Sequence, residues 1–344
     1  MAIHILFTCA GRRNYLINYF KEAIKGQGKI FAVDMCLSAP AMVDADEALL
    51  VPSIYDANYI PALKAIIKAN AITAVISLND LELPILAKHK KELETTGAKV
   101  LISSERVINI AFDKVETFNF LNSIGLNTPL TYTTLKDVKK AIDNNALKFP
   151  LVVKPRWGSA SIGIDFPETY EELELAYKLQ QLKLKRSILN TASAHDFDNA
   201  ILIQEKINGK EYGMDIVNDF EGNYYGTFVR EKVNMRSGET DKAQSIIDER
   251  FDHIGQIISK HLKHIGNLDC DVFIANNKLY TLELNPRFGG GYPFSHEAGI
   301  NTAAIYIEWL KGQTNTLDKF NNYKPGMLFA KCDRMLEIKP SQQK

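Results

Sequence analysis

The residues best suited to chemistry lie close together late in the chain: Tyr280-Thr281-Leu282-Glu283-Leu284-Asn285-Pro286-Arg287-Phe288, followed by Gly289-Gly290-Gly291. Leu282 and Leu284 alternate with Thr281, Glu283 and Asn285, which predicts a strand with the two leucines on one face. Period two then puts Glu283, Asn285 and, if the strand continues, Arg287 on the other. A carboxylate, an amide oxygen and a guanidinium together suit a magnesium ion and a phosphate. Mg²⁺ takes oxygen ligands, often one or two carboxylates plus substrate phosphates, and Arg grips an oxyanion through two N–H groups. Pro286 ends the strand, and the glycines let the backbone pass close to a ligand. A lone E-x-N-x-R pattern would also suit an edge strand facing water. The upstream run Leu268-Asp269-Cys270-Asp271-Val272-Phe273-Ile274 changes that, because Asn276-Asn277 predicts a hairpin that brings Asp271 beside Glu283.

A second informative segment is Phe149-Pro150-Leu151-Val152-Val153-Lys154, leading into Gly158-Ser159-Ala160-Ser161-Ile162-Gly163. Backbone N–H groups of such a loop can surround phosphate oxygens while Lys154 supplies a point charge. It is not a P-loop, since Ile164-Asp165 stands where Lys-Ser/Thr is needed and Lys154 precedes the glycines. A Gly/Ser loop between strands also suits a plain hairpin, but a lysine on a buried strand does not.

The elements that must position these residues follow from periodicity. Residues 3–9, 29–33, 48–51, 74–78 and 100–102 read as strands separated by amphipathic helices, a βα rhythm that predicts a doubly wound parallel sheet. The first turn, Ala10-Gly11-Arg12-Arg13, lacks G-x-G-x-x-G, which argues against a dinucleotide site. Arg12 and Arg13 suit either a solvated helix start or the grip on a substrate anion. Asp80 and Glu82 suit either a helix first turn or a ligand site at the carboxyl end of a strand. The second half alternates helices with an antiparallel meander over 201–232. Residues 187–200 read as an exposed polar insertion, 234–242 as a functional loop or a mobile hairpin tip, and 298–312 as a helix.

The chain has 344 residues, 46% hydrophobic and 24% charged, with Lys plus Arg and Asp plus Glu both at 41. Such a balance provides no global field to recruit nucleic acid or an anionic membrane. No stretch approaches the roughly 20 apolar residues of a membrane span. The four cysteines are scattered without C-x-x-C spacing, so buried reduced thiols and a cytoplasmic location are expected. No Ser/His/Asp or Cys/His arrangement stands out.

Taken in order, Asp113-Lys114, Lys154 before the 158–163 loop, Gln204-Glu205-Lys206-Ile207 with Glu211, Arg236-Ser237-Gly238-Glu239, Asp271 and Glu283-Leu284-Asn285-Pro286-Arg287 resemble the motifs of the ATP-grasp superfamily. The resemblance is to its carbamoyl-phosphate-synthase large-subunit-like branch, in single-copy form. It implies an α/β fold: a preATP-grasp doubly wound domain (1–111), then an ATP-grasp module of two α+β subdomains (112–207 and 208–344). It further implies ATP and Mg²⁺ (or Mn²⁺) as cofactors. Lys114, Lys154 and the loop residues Gly158, Ser159, Ser161, Ile162 and Gly163 would contact phosphates. Gln204, Glu205, Lys206 and Ile207 would form the adenine hinge, and Glu211 would accept from the ribose. Asp271, Glu283 and Asn285 would hold the metal, while Arg287, Arg236 and Lys154 would stabilise the transferring phosphoryl group. Arg12, Arg13, Glu82, Gly290 and Gly291 would line the acceptor region. The implied reaction joins a small carboxylate to an amine through an acyl phosphate, in a possible homodimer. Carboxyphosphate chemistry and nucleotide binding with little turnover are the alternatives.

Overall fold

The computed structural model describes residues 2–158, 163–315 and 317–338. The first unit holds β1 (Ile5–Thr8), α1 (Asn14–Ile24), β2 (Ile30–Asp34), α2 (Pro40–Asp44), β3 (Glu47–Leu50), α3 (Tyr59–Ala69), β4 (Ala74–Ser77), α4 (Leu83–Glu94) and β5 (Lys99–Val100). Its strands are all parallel in the order β3-β2-β1-β4-β5. The order reverses between β1 and β4, and the crevice at such a reversal is where open α/β sheets bind ligands. Leu16, Ile17 and Phe20 of α1 pack on one face, and Tyr59, Leu63 and Leu86 of α3 and α4 on the other, as a doubly wound sheet requires.

The middle segment holds α5 (Glu105–Phe112), α6 (Lys114–Ser123), β6 (Thr131–Tyr132), α7 (Leu135–Asp143), β7 (Leu151–Pro155), α8 (Tyr170–Leu184), the short α9 (Leu189–Ser193) and β8 (Ile201–Glu205). A three-stranded antiparallel sheet, β6-β8-β7, carries α7 and α8 over their own core, including Val153, Leu173, Ala176 and Ile203. Helix α6 does not share that core: Phe120 and Leu121 pack with Met214, Cys270 and Leu284 of the third unit.

That unit is built on β9 (Lys210–Asn218), β10 (Tyr224–Arg236), β11 (Glu239–Ile246), α10 (Glu249–Leu262), β12 (Gly266–Ala275), β13 (Lys278–Asn285), α11 (Tyr292–Glu297), α12 (Thr302–Leu310) and β14 (Leu328–Ala330). The six strands lie in the order β13-β12-β9-β10-β11-β14. The Asn276-Asn277 turn between β12 and β13 has φ +49° and +58°, the left-handed pair of a tight hairpin. The helix expected over 298–312 is shorter, α12 starting only at Thr302, because Gly299 at φ +121° separates it from α11.

Residues 187–200 are not an exposed insertion. Leu189 and Ser193 are buried, and a 3-10 turn, Ala194–Asn199, brings His195 onto Trp157 and Asp196 to Arg156. Apolar Leu189 and Ala200 at the ends of a polar stretch are enough to dock it. Of the cysteines only Cys270 is buried; Cys36 and Cys332 are exposed and Cys9 is intermediate. No helix among the described residues is long and apolar enough to cross a membrane.

The first and third units share one core. Phe288, Tyr292 and Tyr306 pack with Phe20 of α1, with ring centroids 6.0 Å apart for Phe20–Phe288 and 5.9 Å for Phe20–Tyr306. This clamps the glycine run after β13 against the parallel sheet. Phe288→Ala should therefore destabilise the whole chain by about 3–5 kcal/mol, read as a lower midpoint in urea unfolding followed by tryptophan fluorescence.

Candidate active site

The hairpin β12–β13 sets the first group of functional side chains. Asp271 lies directly opposite Glu283, and Asp269 opposite Asn285. A β-bulge follows, since Val272 pairs with Thr281 and leaves Leu282 as the extra residue. The simple alternation expected of β13 therefore fails: Thr281 is fully buried, and Leu282 joins Glu283 in lining a cleft. A bulge turns two successive side chains toward the same side, which is how Leu282 leaves the face it would otherwise share with Leu284.

This cleft has a volume of about 390 Å³. Lys114, Lys154, Gly158, Asp271 and Glu283 form its charged end, while Val152, Phe166, Ile207, Met235, Phe273 and Leu282 contribute apolar walls. Gln204, Glu205, Lys206 and Glu211 also line it. Asn285, 8% exposed, lies at a smaller neighbouring hollow with Lys114, Gly158 and Glu283. Lys154 and Glu283, distant in sequence, thus face one cavity.

The segment after β7 closes as a hairpin: Val153 and Asp165 exchange both backbone hydrogen bonds across its base. Ser159, Ser161 and Ile162 lie outside the described residues. Gly163 has φ +70°, and a Cβ there would come 2.5 Å from Gln180 Oε1 of α8, so the loop returns directly over that helix. Asp113 fixes the other side. Its Oδ1 accepts from the Val115 N–H as the cap of α6, and both its oxygens accept from Arg156 at 2.7 Å. Lys114, first in α6, reaches the Gly158 carbonyl at 2.5 Å. Burial pushes the Lys154 ammonium down to about 8; Glu283 pulls upward and the Lys114 charge adds to the depression.

Charges that the sequence reading missed order the sheet beneath. Lys232 bridges Glu211 at 2.6 Å and Asp271 at 2.8 Å. Asp271 is pushed up to about 6 by burial, with Lys232 opposing. Arg230 is 1% exposed and binds Asp215 at 2.5 Å and Asp269 at 2.9 Å. Arg287 spans Asp269 at 3.3 Å and Asp80 at 2.7 Å. Burial opposes the charge on both arginines, yet their carboxylate partners hold them above the ordinary guanidinium range. Gly213, opposite both Arg230 and Asp271, leaves the room over β9 that these contacts need. The available signal was spacing: Arg230-x-Lys232 and Asp269-x-Asp271 each put two charges on one face of a strand.

Four expectations meet a different outcome. Glu82 is fully enclosed, accepting from Thr8 Oγ1 at 2.8 Å, Ser77 Oγ at 2.6 Å and the Tyr59 hydroxyl, and burial raises its pKa. It ties β1, β4 and α3 together and presents no surface to an acceptor. Arg236 lies away from the cleft: Met235 lines it, and alternation sends Arg236 to the opposite face, bonded to Asp333 at 3.0 Å and Asp241 at 3.2 Å. The glycine run makes room for protein charges rather than for a ligand. A Cβ at Gly291 would lie 2.3 Å from Arg230 Nε, and one at Gly290 2.8 Å from Arg13 Nη1. Arg13 is accordingly no solvated helix start: it donates to the Tyr15 hydroxyl at 2.9 Å and approaches Glu239 at 3.9 Å. Arg12 is exposed beside it.

Comparison with known proteins agrees with this architecture. A family model described as "ATP-grasp domain" matches residues 111–291, and one described as "PylC-like, N-terminal domain" matches 5–101. The chain belongs to the ATP-grasp family. The large chain of carbamoyl phosphate synthase from Campylobacter jejuni is 26% identical over 297 residues, 80% of this chain and 26% of that protein. A carbamoyl-phosphate synthase from Methanobrevibacter smithii is 22% identical over 290 residues, 79% of this chain and 72% of its own length. The chain thus spans about a quarter of the length of the large chains it matches. Among solved structures, an L-amino acid ligase from Bacillus licheniformis superposes with TM-score 0.71 at 20% identity, covering 94% of this chain and 78% of that one. The β-γ-ATP complex of biotin carboxylase from Campylobacter jejuni gives 0.70 at 16%, covering 92% and 73%.

The residues present fit a nucleotide and a hard cation. The cleft combines apolar walls with two lysines and two carboxylates, a set that suits a base and a metal-bound phosphate tail. Among the described residues no cluster of three His, Cys, Asp or Glu could hold a metal alone. Two cross-strand carboxylates and an amide instead supply the part of a shell that Mg²⁺ completes with water and phosphate oxygens. If Lys154 meets phosphate, it must be charged in the complex. Above pH 8 the free lysine is mostly neutral, so ATP binding should take up a proton, and affinity should fall up to about tenfold per pH unit. Titration calorimetry at one alkaline pH in two buffers of different ionisation enthalpy measures this uptake, which Lys154→Arg should remove.

Proposed function

We propose that this chain is an ATP- and Mg²⁺-dependent carboxylate–amine ligase. A substrate carboxylate attacks the γ-phosphorus of ATP, giving an acyl phosphate and ADP; an amine then displaces phosphate to leave an amide. The observation that carries this reading is the convergence of Lys154 and Glu283 on one cleft with Lys114 and Gly158. Phosphoryl transfer needs little covalent help from protein; it needs positioned cations and a dry site.

Each group has a part in that chemistry. Lys154 and Lys114 would neutralise phosphate oxygens. Glu283, with Asp271 and Asn285, would hold Mg²⁺, which would offset charge on the transferring group. Lys232 fixes Asp271 and Glu211 in place through one oxygen of each. Gln204 to Ile207 read the adenine through their backbone. Arg287 is held rigid by Asp80 and Asp269 at the seam with the parallel sheet, where an acceptor carboxylate approaches, and Arg13 supplies a second cation there.

The printed names of the curated relatives favour a second reading, bicarbonate activation with ammonia. The absence of C-x-x-C, Ser/His/Asp and Cys/His arrangements fits either, because neither uses a protein nucleophile. A screen of ADP release against pairs of carboxylic acids and amines, with bicarbonate plus ammonia as a further arm, separates them. Ligase activity predicts ADP release dependent on both an acid and an amine; stimulation by bicarbonate alone would replace it with the second reading. Glu283→Gln should abolish Mg²⁺-dependent ADP formation without altering the circular dichroism spectrum, and unchanged turnover would remove Glu283 from the mechanism.

A further inference from the structure

Helix α8 is apolar on two faces, and only one is covered. Leu173, Ala176, Gln180 and Leu184 are buried against the small sheet, whereas Leu175, Leu179 and Leu182 are 63%, 46% and 44% exposed. The exposed leucines fall at spacings of four and three. Glu172, three residues before Leu175, and Arg186, four after Leu182, extend them into an unbroken 3-4-3-4 seam. Such a repeat is the signature of one helix packing along another. The Arg186 N–H still donates to the Lys183 carbonyl, so the helical path continues to the end of the seam.

The charges say which helix. Those exposed at the start of α8 are acidic, Glu171, Glu172 and Glu174; those at its end are basic, Lys183, Lys185 and Arg186. Reversing the helix about a point between Lys178 and Leu179 exchanges Leu175 with Leu182 and maps the acidic end onto the basic end. Glu172 then comes within one residue of Arg186, and Glu171 within one residue of Lys185. A parallel arrangement would oppose like charges along the whole length, and a partner of either single sign would match only half the seam. A surface complementary to its own image under a two-fold axis is what a symmetric dimer interface needs.

We propose that this face binds a second copy of the chain, α8 against α8 in antiparallel register centred between Lys178 and Leu179. A single helix pair buries less than the roughly 800 Å² per partner of a standard interface. The dimer is therefore weak, of micromolar order, and it loosens as salt screens its end charges. Because Gln180 of the same helix bonds Asp165 at the base of the phosphate loop, the two copies associate through the units that cover their clefts.

Sedimentation velocity of the full chain across the micromolar range tests this. The native chain should shift from monomer to dimer with concentration, and Leu179→Asp should stay monomeric with an unchanged circular dichroism spectrum. Glu171→Lys alone should weaken the dimer roughly tenfold, and the double exchange Glu171→Lys with Lys185→Glu should restore it. A native chain that stays monomeric, or a dimer indifferent to Leu179→Asp, overturns the proposal. A double exchange as weak as the single one overturns the antiparallel register.

Discussion

The structure depends on a buried row of alternating charge, Asp215–Arg230–Asp269–Arg287–Asp80. Desolvating five ionised groups is expensive, and removing one partner from such a row typically costs about 3–5 kcal/mol because a lone charge stays behind. The row starts at the centre of the six-stranded sheet and ends on Asp80, just past β4 of the parallel sheet. It therefore sets the position of Arg287 relative to both units at once. Ser295 adds a hydroxyl that donates to Asp215 at 2.6 Å, and Asn267 donates to the same carboxylate at 3.0 Å. Lys232 continues the pattern along β10, bridging Asp271 and Glu211.

The frame so fixed contrasts with the unit that covers the cleft. The first and third units share the core around Phe20, Phe288 and Tyr306. The β6-β8-β7 sheet has a separate core that touches the first unit at Leu81 and Ile54. The end of β7 is tied down by Arg156, which is bound by Asp113 at the start of α6 and by Asp196 in the 187–200 segment. Arg156 also lies over the Trp157 ring at 4.4 Å, so one guanidinium braces the loop through charge and stacking together. The six-stranded sheet carries Glu283, and the three-stranded sheet carries Lys154. A nucleotide held by both would join the two halves.

Much of this was legible from residue order. The βα rhythm gave the parallel sheet, Asn276-Asn277 gave the hairpin, and the hairpin gave the pairing of Asp271 with Glu283. What escaped has a common cause: side-chain direction across strands that are not neighbours in sequence. Arg230 and Lys232 read as ordinary strand residues until β9 is seen to place Gly213 between them and the aspartates of β12. Leu282 looked like core because a bulge leaves no mark on a short alternating run. Glu82 sits in a helix-start pattern that also fits exposure, and only the convergence of Thr8, Ser77 and Tyr59 encloses it. The 187–200 segment is polar by composition, but two well-placed apolar residues dock it.

The glycine run also links two positions far apart in the sequence. Arg13 occupies the volume that a side chain at 290 would fill, so each site restricts the other. A side chain at 290 therefore fits only beside a residue shorter than arginine at 13, although most of the sequence separates the two.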